Sequence, residues 1–320
     1  MRDNHYQKFI TQSQDLVTSR EQTRAGFISF ALEKNRRSTP YIESAKSFKI
    51  YASQAKTPLD LLNIPDIRPS LLAAAGLSDK ALKIFSEEDK DQAIRELIEN
   101  FLEPAGEHFV DEAVYRFLLL KGDSLGGSMR NLVGAIAQQK LVRTLLSNIS
   151  VLGLNYSWIN SDSPKVWLPK PLDDCGIEDK LKAIAWSREG KNRILAFNLT
   201  IPIVSKNVDI CLFDGMAPEY DQGKIVKTPE KLVMLGELKG GVDPAGADEH
   251  WKTANTALVR IRKGCKGVNP NIKTSFIGAA IENSMAQEIW GQLVEGTLNH
   301  AANLTVDNQV INYCDWLLSI

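Results

Sequence analysis

Two hydrophobic rhythms divide the chain. Up to about residue 150, apolar positions recur at intervals of three and four, the spacing that lines one face of a helix. Thr18 and Ser19 precede a run that puts Phe27, Phe30 and Ala31 on one side and ends near the basic cluster Lys34, Arg36 and Arg37. Pro40, Pro58 and Pro69 stand where a first helical turn tolerates proline and so mark helix starts. Ser86 reads as the cap of a further helix whose apolar face is Ala93, Ile94, Leu97, Ile98 and Leu102. After Ser128 the rhythm returns at Met129, Leu132, Val133, Ile136, Ala137, Leu141 and Leu145. This half reads as all-α.

From about residue 180 the texture changes. Ala183 to Trp186, a Glu189-Gly190-Lys191-Asn192 turn and Ile194 to Leu199 predict a hairpin. Asn207 to Phe213 and Leu232 to Lys239 predict two more strands, with a polar loop between them. Asp243-Pro244 supplies a cap and first-turn proline for a helix of about nineteen residues. Its stripe is Ala247, Trp251, Ala254, Leu258 and Ile261, and Gly264 is its natural stop. A strand from Thr274 to Ile281 and a helix from Ser284 through Gly296 follow. Strand, strand, strand, helix, strand, helix is the order of a mixed α/β core. The expected division is 1–150, mainly helical, and 151–320, carrying the α/β core, with the two halves free to share a core.

The 320 residues suffice for one large domain or two ordinary ones, at about 100–200 residues each. The start of the chain is polar, without the apolar run of a signal peptide, and no stretch reaches the roughly 18 apolar residues of a membrane span. The cysteines Cys175, Cys211, Cys265 and Cys314 form no CxxC pair, which argues against zinc and for a reducing, cytoplasmic setting. A net charge of −1 argues against a protein that merely coats nucleic acid, but leaves room for local basic patches.

The chemistry concentrates in one strand. Side chains alternate across a strand, so Val233, Leu235, Glu237 and Lys239 share a face. Two ionisable groups thus follow two apolar ones on the same side. Asp209 lies among apolar neighbours in the preceding strand, and pairing of the two strands would set its carboxylate beside Glu237. Adjacent carboxylates repel and stay ionised only with a cation between them. Mg²⁺ suits such a pair, because it takes one or two carboxylates and completes its shell with water and phosphate oxygens. Glu-x-Lys alone carries little, since it recurs at Glu88-Asp89-Lys90 and Glu178-Asp179-Lys180 in polar segments. A surface ion pair at a strand end is the competing reading.

The segment from Asn207 to Lys263 resembles the PD-(D/E)xK nuclease core, and more narrowly the AvaI/BsoBI group of type II restriction endonucleases. The residues that carry the likeness are Asn207-Val208-Asp209-Ile210, Gly236-Glu237-Leu238-Lys239-Gly240-Gly241 and the run Asp243 to Trp251, with a further block at Gly122 to Asn131. Val208 departs from the proline that usually precedes the aspartate, a change the metal-binding carboxylate does not feel. The resemblance implies a restriction-endonuclease-like mixed sheet flanked by helices, with a large N-terminal helical region embracing DNA. It implies a homodimer on double-stranded DNA, hydrolysis with Mg²⁺ at CYCGRG after the first C to leave four-base 5′ overhangs, and a cognate DNA methyltransferase in the same system. Asp209, Glu237 and Leu238 become the metal-ligating set, Lys239 the motif lysine and His250 a general base; Asp243 and Lys206 become base contacts.

Each role has a plainer counterpart. His250 follows the strand on the next helix and can accept a proton near neutrality, or it simply bonds a neighbour. Asp243 is equally the cap before Pro244, and Lys206 an exposed loop lysine. Gly126-Gly127-Ser128 reads as a turn whose N–H groups, with Arg130 in the first helical turn, would seat a phosphate; tight turning alone also explains the glycines. Two alternatives for the whole chain stay open here: a repair or junction-resolving nuclease, and a non-catalytic DNA-binding protein.

Overall fold

Local chemistry sets the helices of the first half. The computed structural model describes residues 4–163, 166–221 and 223–320, with every side chain of these except Arg130, Asn131 and Asp221. Helix α1 (Arg20–Ala52) continues through Pro40, which is therefore no helix start. Ala45, Phe48 and Ala52, beyond the proline, are all buried, and this packing holds the far half of the helix against the cost of an interior proline. Pro58 does open a short 3-10 turn, and Pro69 sits in the first turn of α2 (Arg68–Ala74). Ser86 caps α3 (Glu87–Leu97): its hydroxyl accepts from Asp89 N–H at 3.2 Å, and Asp89 accepts from Ser86 N–H at 2.9 Å.

Helix α4 (Phe109–Val151) is one element of 43 residues. It passes straight through Gly122, Gly126 and Gly127, which corrects the expected turn. Each glycine costs about 1 kcal/mol relative to alanine. The apolar stripe Leu125, Met129 and Leu132, packed with Phe30 and Tyr41, carries the helix across them. Ser128 Oγ donates to the Leu125 carbonyl at 2.8 Å, inside the same helix.

Beyond α4 the chain builds a sheet, of eight strands among the described residues, in the order β2-β1-β3-β4-β5-β6-β7-β8. The strands are β1 (Tyr156–Asn160), β2 (Trp167–Pro169), β3 (Leu181–Arg188), β4 (Lys191–Ile201), β5 (Lys206–Asp214), β6 (Leu232–Lys239), β7 (Lys273–Gly278) and β8 (His300–Asn303). Antiparallel neighbours need only tight turns: Glu189 and Gly190, at φ 53° and 78°, make the two-residue link from β3 to β4. Parallel neighbours need a crossover. After the short α5 (Ala217–Asp221), helix α6 (Ala247–Cys265) joins β6 to β7 and α7 (Asn283–Glu295) joins β7 to β8. Helix α8 (Asp307–Ser319) follows β8, with Val310, Tyr313, Cys314 and Leu317 buried at helical spacing; it, β1, β2 and β8 lie outside the elements predicted from the sequence.

The two sheet faces are covered differently. On one lie α6, α7 and the N-terminal segment, through Trp251, Leu258, Ile261, Ile289, Tyr6 and Leu16. On the other lie the last third of α4 and α8, through Leu141, Leu145, Ile149, Tyr313 and Trp316. The chain up to Phe27 and from Val133 onward forms one compact unit, and Ile28–Leu132 a second with its own core of Phe48, Leu61, Ile94, Leu102 and Phe117. The change of texture near residue 150 marks the passage from helix to strand at the end of α4. The packing units divide elsewhere, because Tyr6, Ile10, Leu16 and the α4 stripe from Ala137 onward are buried against the sheet.

Candidate active site

The centre forms where β5 and β6 run side by side. Ile210 lies opposite Gly236, which sets Asp209 next to Glu237. Leu235, Glu237 and Lys239 keep the alternation expected of them. Val233 does not: it is skipped in the pairing, since Leu212 faces Met234 and Phe213 faces Leu232, and this bulge turns it to the opposite core.

Lys239 Nζ donates to Glu237 Oε2 at 2.7 Å and to Asp209 Oδ2 at 2.9 Å. The Leu238 backbone N–H donates to the same Asp209 oxygen at 2.9 Å. The sequence therefore names three side chains that do meet. They are not a surface pair, for Glu237 is 4% exposed. Burial first, and then the Asp209 carboxylate, push the Glu237 carboxyl up to about 7 despite the Lys239 ammonium. Burial works against the charge on Lys239 too, but Glu237 and Asp209 outweigh it and hold the ammonium above its ordinary range.

One ammonium for two carboxylates leaves a negative surplus in a buried place. No group of three His, Cys, Asp or Glu side chains among the described residues is arranged to hold a metal ion. A hard divalent cation does not need three, as one or two carboxylates suffice when water and phosphate oxygens complete the shell. The pair Asp209 and Glu237 fits such an ion, whose charge would offset the burial and the repulsion that raise the Glu237 carboxyl.

His250 lies in the first turns of α6, where its ring packs on Gly241, two residues past Lys239. A Cβ on Gly241 would overlap that ring, and one on Gly240 would overlap the Val133 carbonyl and Ala137. The paired glycines thus let the chain leave β6 without displacing His250 or α4. Asp243 caps the turn before α6, accepting from Ala245 N–H at 3.0 Å, and is exposed. Lys206 is the exposed first residue of β5. Ser128 is not at a helix N-terminus, so its proposed phosphate seat is withdrawn: the N–H groups there belong to the interior of α4. The Arg130 side chain lies outside the described residues.

One contributor had no signal in the sequence. Ala279 N–H donates to the Lys239 carbonyl at 2.9 Å, and the Ala279 carbonyl accepts from Thr18 Oγ1 at 3.0 Å. Thr18 Oγ1 also accepts from Ile281 N–H at 3.0 Å. The threonine before α1 therefore ties down the end of the strand that carries Lys239.

A buried glutamate and a partly buried aspartate meeting on one lysine, on a mixed sheet wrapped by helices, suit a phosphodiester-cleaving enzyme, and comparison with known proteins makes the class specific. Residues 6–320 match the family described as restriction endonuclease BsobI, and the chain belongs to that family of type II restriction endonucleases. In particular, it is 54% identical over 319 residues to the type II restriction enzyme BsoBI of Geobacillus stearothermophilus, covering 98% of each chain. It is 51% identical over 315 residues to the type II restriction enzyme AvaI of Nostoc sp. strain PCC 7120, covering 98% of this chain and 99% of that one. The chain is thus a site-specific deoxyribonuclease acting on double-stranded DNA, and the repair-nuclease and non-catalytic alternatives fall away. No helix among the described residues is long and apolar enough to cross a membrane.

Proposed function

We propose that the enzyme hydrolyses duplex DNA with Mg²⁺ held by Asp209 and Glu237, and that it cuts CYCGRG after the first C as a homodimer, its own genome being protected by a cognate methyltransferase. What carries this reading is the convergence of Asp209 and Glu237 on Lys239 Nζ, at 2.9 and 2.7 Å, with Glu237 buried. When bound, the cation supplies positive charge that activates water and stabilises the charge developing on the phosphate and its leaving oxygen.

The chain's own groups do the rest. Lys239, held by two carboxylates, keeps its ammonium where negative charge grows in the transition state and orients the attacking water. His250 takes the proton from that water, a task suited to an imidazole near neutrality. Glu237 must be ionised to act as a ligand, so a proton competes with the cation for it, and metal binding weakens as pH falls below about 7. Asp243 and Lys206, at the mouths of α6 and β5, read bases, with the carboxylate accepting from cytosine N4. Leu238 contributes through its backbone, whose N–H steadies Asp209.

The recognition site rests on the 54% and 51% identity to two restriction enzymes over nearly the full chain. Digestion of DNA of known sequence with Mg²⁺, followed by sequencing of the ends, tests the whole reading. Ends that begin with YCGR define it; a different sequence overturns the specificity, and cleavage that survives Glu237→Ala overturns the site.

A further inference from the structure

We infer that Asn198 is a positioning residue for the divalent cation: its left-handed backbone turns its own side chain off the site and keeps the approach to Asp209 clear. Three non-glycine residues among the described ones have a positive φ. Glu189 and Ser205, at 53° and 56°, lie in the links on either side of β4. Asn198, at 55°, lies inside β4 itself. A left-handed residue within a strand is strained, and such strain persists only where its surroundings hold it.

The packing on either side shows what this residue does to the strand. Ile194 and Ala196 lie in the core on the α6 side, Leu195 and Phe197 in the core on the α4 side. Regular alternation would next put Asn198 on the α6 side and Leu199 on the α4 side. Leu199 instead packs on the α6 side, together with Ile201. Asn198 is exposed, and its Nδ2 donates to Oε1 of Gln138, on α4, at 2.9 Å. No extra residue is inserted to achieve this, since Phe197 faces Ile210 and Leu199 faces Val208 in one register. The reversal is made at a single residue.

Between those two pairs Asn198 falls opposite Asp209. Side chains directly opposite in an antiparallel pair stand about 4.5–5.5 Å apart at Cβ. An extended Asn198 would therefore set its amide against the Asp209 carboxylate. Both N–H donors to that carboxylate, from Lys239 and Leu238, fall on Oδ2. No N–H among the described residues donates to Oδ1, and an amide placed there would compete with a cation for it. The left-handed turn, pinned by Gln138, removes the competitor. Asparagine suits the task, being enriched several-fold in this region of backbone space, where β-branched residues are outliers. The inference rests on the reading of Asp209 and Glu237 as metal ligands.

Mn²⁺ is the probe, titrated into metal-free protein at about pH 8 and followed by the EPR signal of the free ion. Wild type is expected to bind with an affinity that Glu237→Ala abolishes. In Asn198→Thr the β-branched side chain forces the strand to extend, and its hydroxyl then bonds the carboxylate. Mn²⁺ should bind this variant about tenfold more weakly, the scale of one hydrogen bond to a charged group. Asn198→Gly, with no side chain to set against Asp209, should bring the affinity back to within about threefold of wild type. Cleavage by Asn198→Thr should recover towards the wild-type kcat at saturating Mg²⁺, because occupancy and not chemistry is altered. Where the threonine variant does not fold, Gln138→Ala replaces it: it frees the Asn198 amide without changing β4 and should weaken Mn²⁺ binding about threefold. Unchanged Mn²⁺ affinity with lowered thermal stability alone makes Asn198 a structural residue and overturns the inference. Asn198→Gly binding as weakly as Asn198→Thr overturns it too. Equal binding by wild type and Glu237→Ala instead removes the metal site itself, and this inference with it.

Discussion

Glu237 shows how a single side chain carries opposing demands. Its carboxyl titrates at about 7 in the fold against an ordinary 4.5, so the fold favours the protonated form. Stability from this group is therefore fully present below about 4.5 and is lost as pH rises through about 7. Glu237→Gln keeps the shape without the charge. In chelator-treated protein, the Tm of this variant relative to wild type is expected to rise between about pH 5 and pH 8, the range that brackets the shift. Thermal melts at both values measure it, and a difference independent of pH would contradict the assignment. The same variant should lose cleavage by on the order of 10²–10³-fold or more, since it removes charge stabilisation at the phosphate. Gly241 offers a subtler test. Gly241→Ala should push the His250 ring aside and lower kcat on the order of 10²-fold, the typical cost of a 1 Å misplacement, with DNA affinity nearly intact. Gly240→Ala should instead destabilise the fold by about 1–3 kcal/mol through crowding of α4, read by urea titration. Asp209, Glu237 and Lys239 were legible because strand alternation and apolar neighbours single them out. Thr18 was not, because its partner Ala279 is 261 positions away and nothing local marks the hydroxyl.

At the scale of elements, patterns that are local and repeated were readable, and interruptions misled. The stripe Ala247, Trp251, Ala254, Leu258 and Ile261 is buried in full, and α6 has the expected 19 residues. The exact stop was not readable: Gly264 lies inside the last turn, where it allows the Ile203 carbonyl to approach, and the helix ends at Cys265. Glycines in α4 and the proline in α1 looked like punctuation because their intrinsic costs are real. Tertiary packing on either side outweighs them, and packing partners distant in sequence leave no local trace. Strands β1, β2 and β8 are three to five residues long, too short for a period to declare itself. Asp243 can be tried at this scale. Asp243→Ala should cost about 1 kcal/mol through the lost cap, while Asp243→Asn keeps the cap and the stability. If the carboxylate also reads a base, the asparagine variant will fold normally yet cleave its site poorly. Denaturation midpoints and cleavage rates on the same two variants separate the roles.

For the molecule as a whole, the palindromic target proposed above, if read by identical subunits, calls for two-fold symmetry. Sedimentation at micromolar concentration is expected to give twice the chain mass, and a monomer there would count against the proposed homodimer. The α/β class was legible from the order of elements, but the packing units were not, since a contiguous reading cannot see that Tyr6 and Leu16 belong with Leu293 and Asn303. That long-range closure has a bearing on how the enzyme comes into being. Asn303 holds the Leu16 carbonyl at 2.9 Å, and Gln309 holds that of Asp15 at 2.6 Å. These early residues are translated long before the partners that receive them, and contacts so far apart form slowly. Until Asn303 and Gln309 have been made, the Leu16 and Asp15 carbonyls lack these partners. The seating of the N-terminal segment against the sheet therefore waits until translation has passed Gln309.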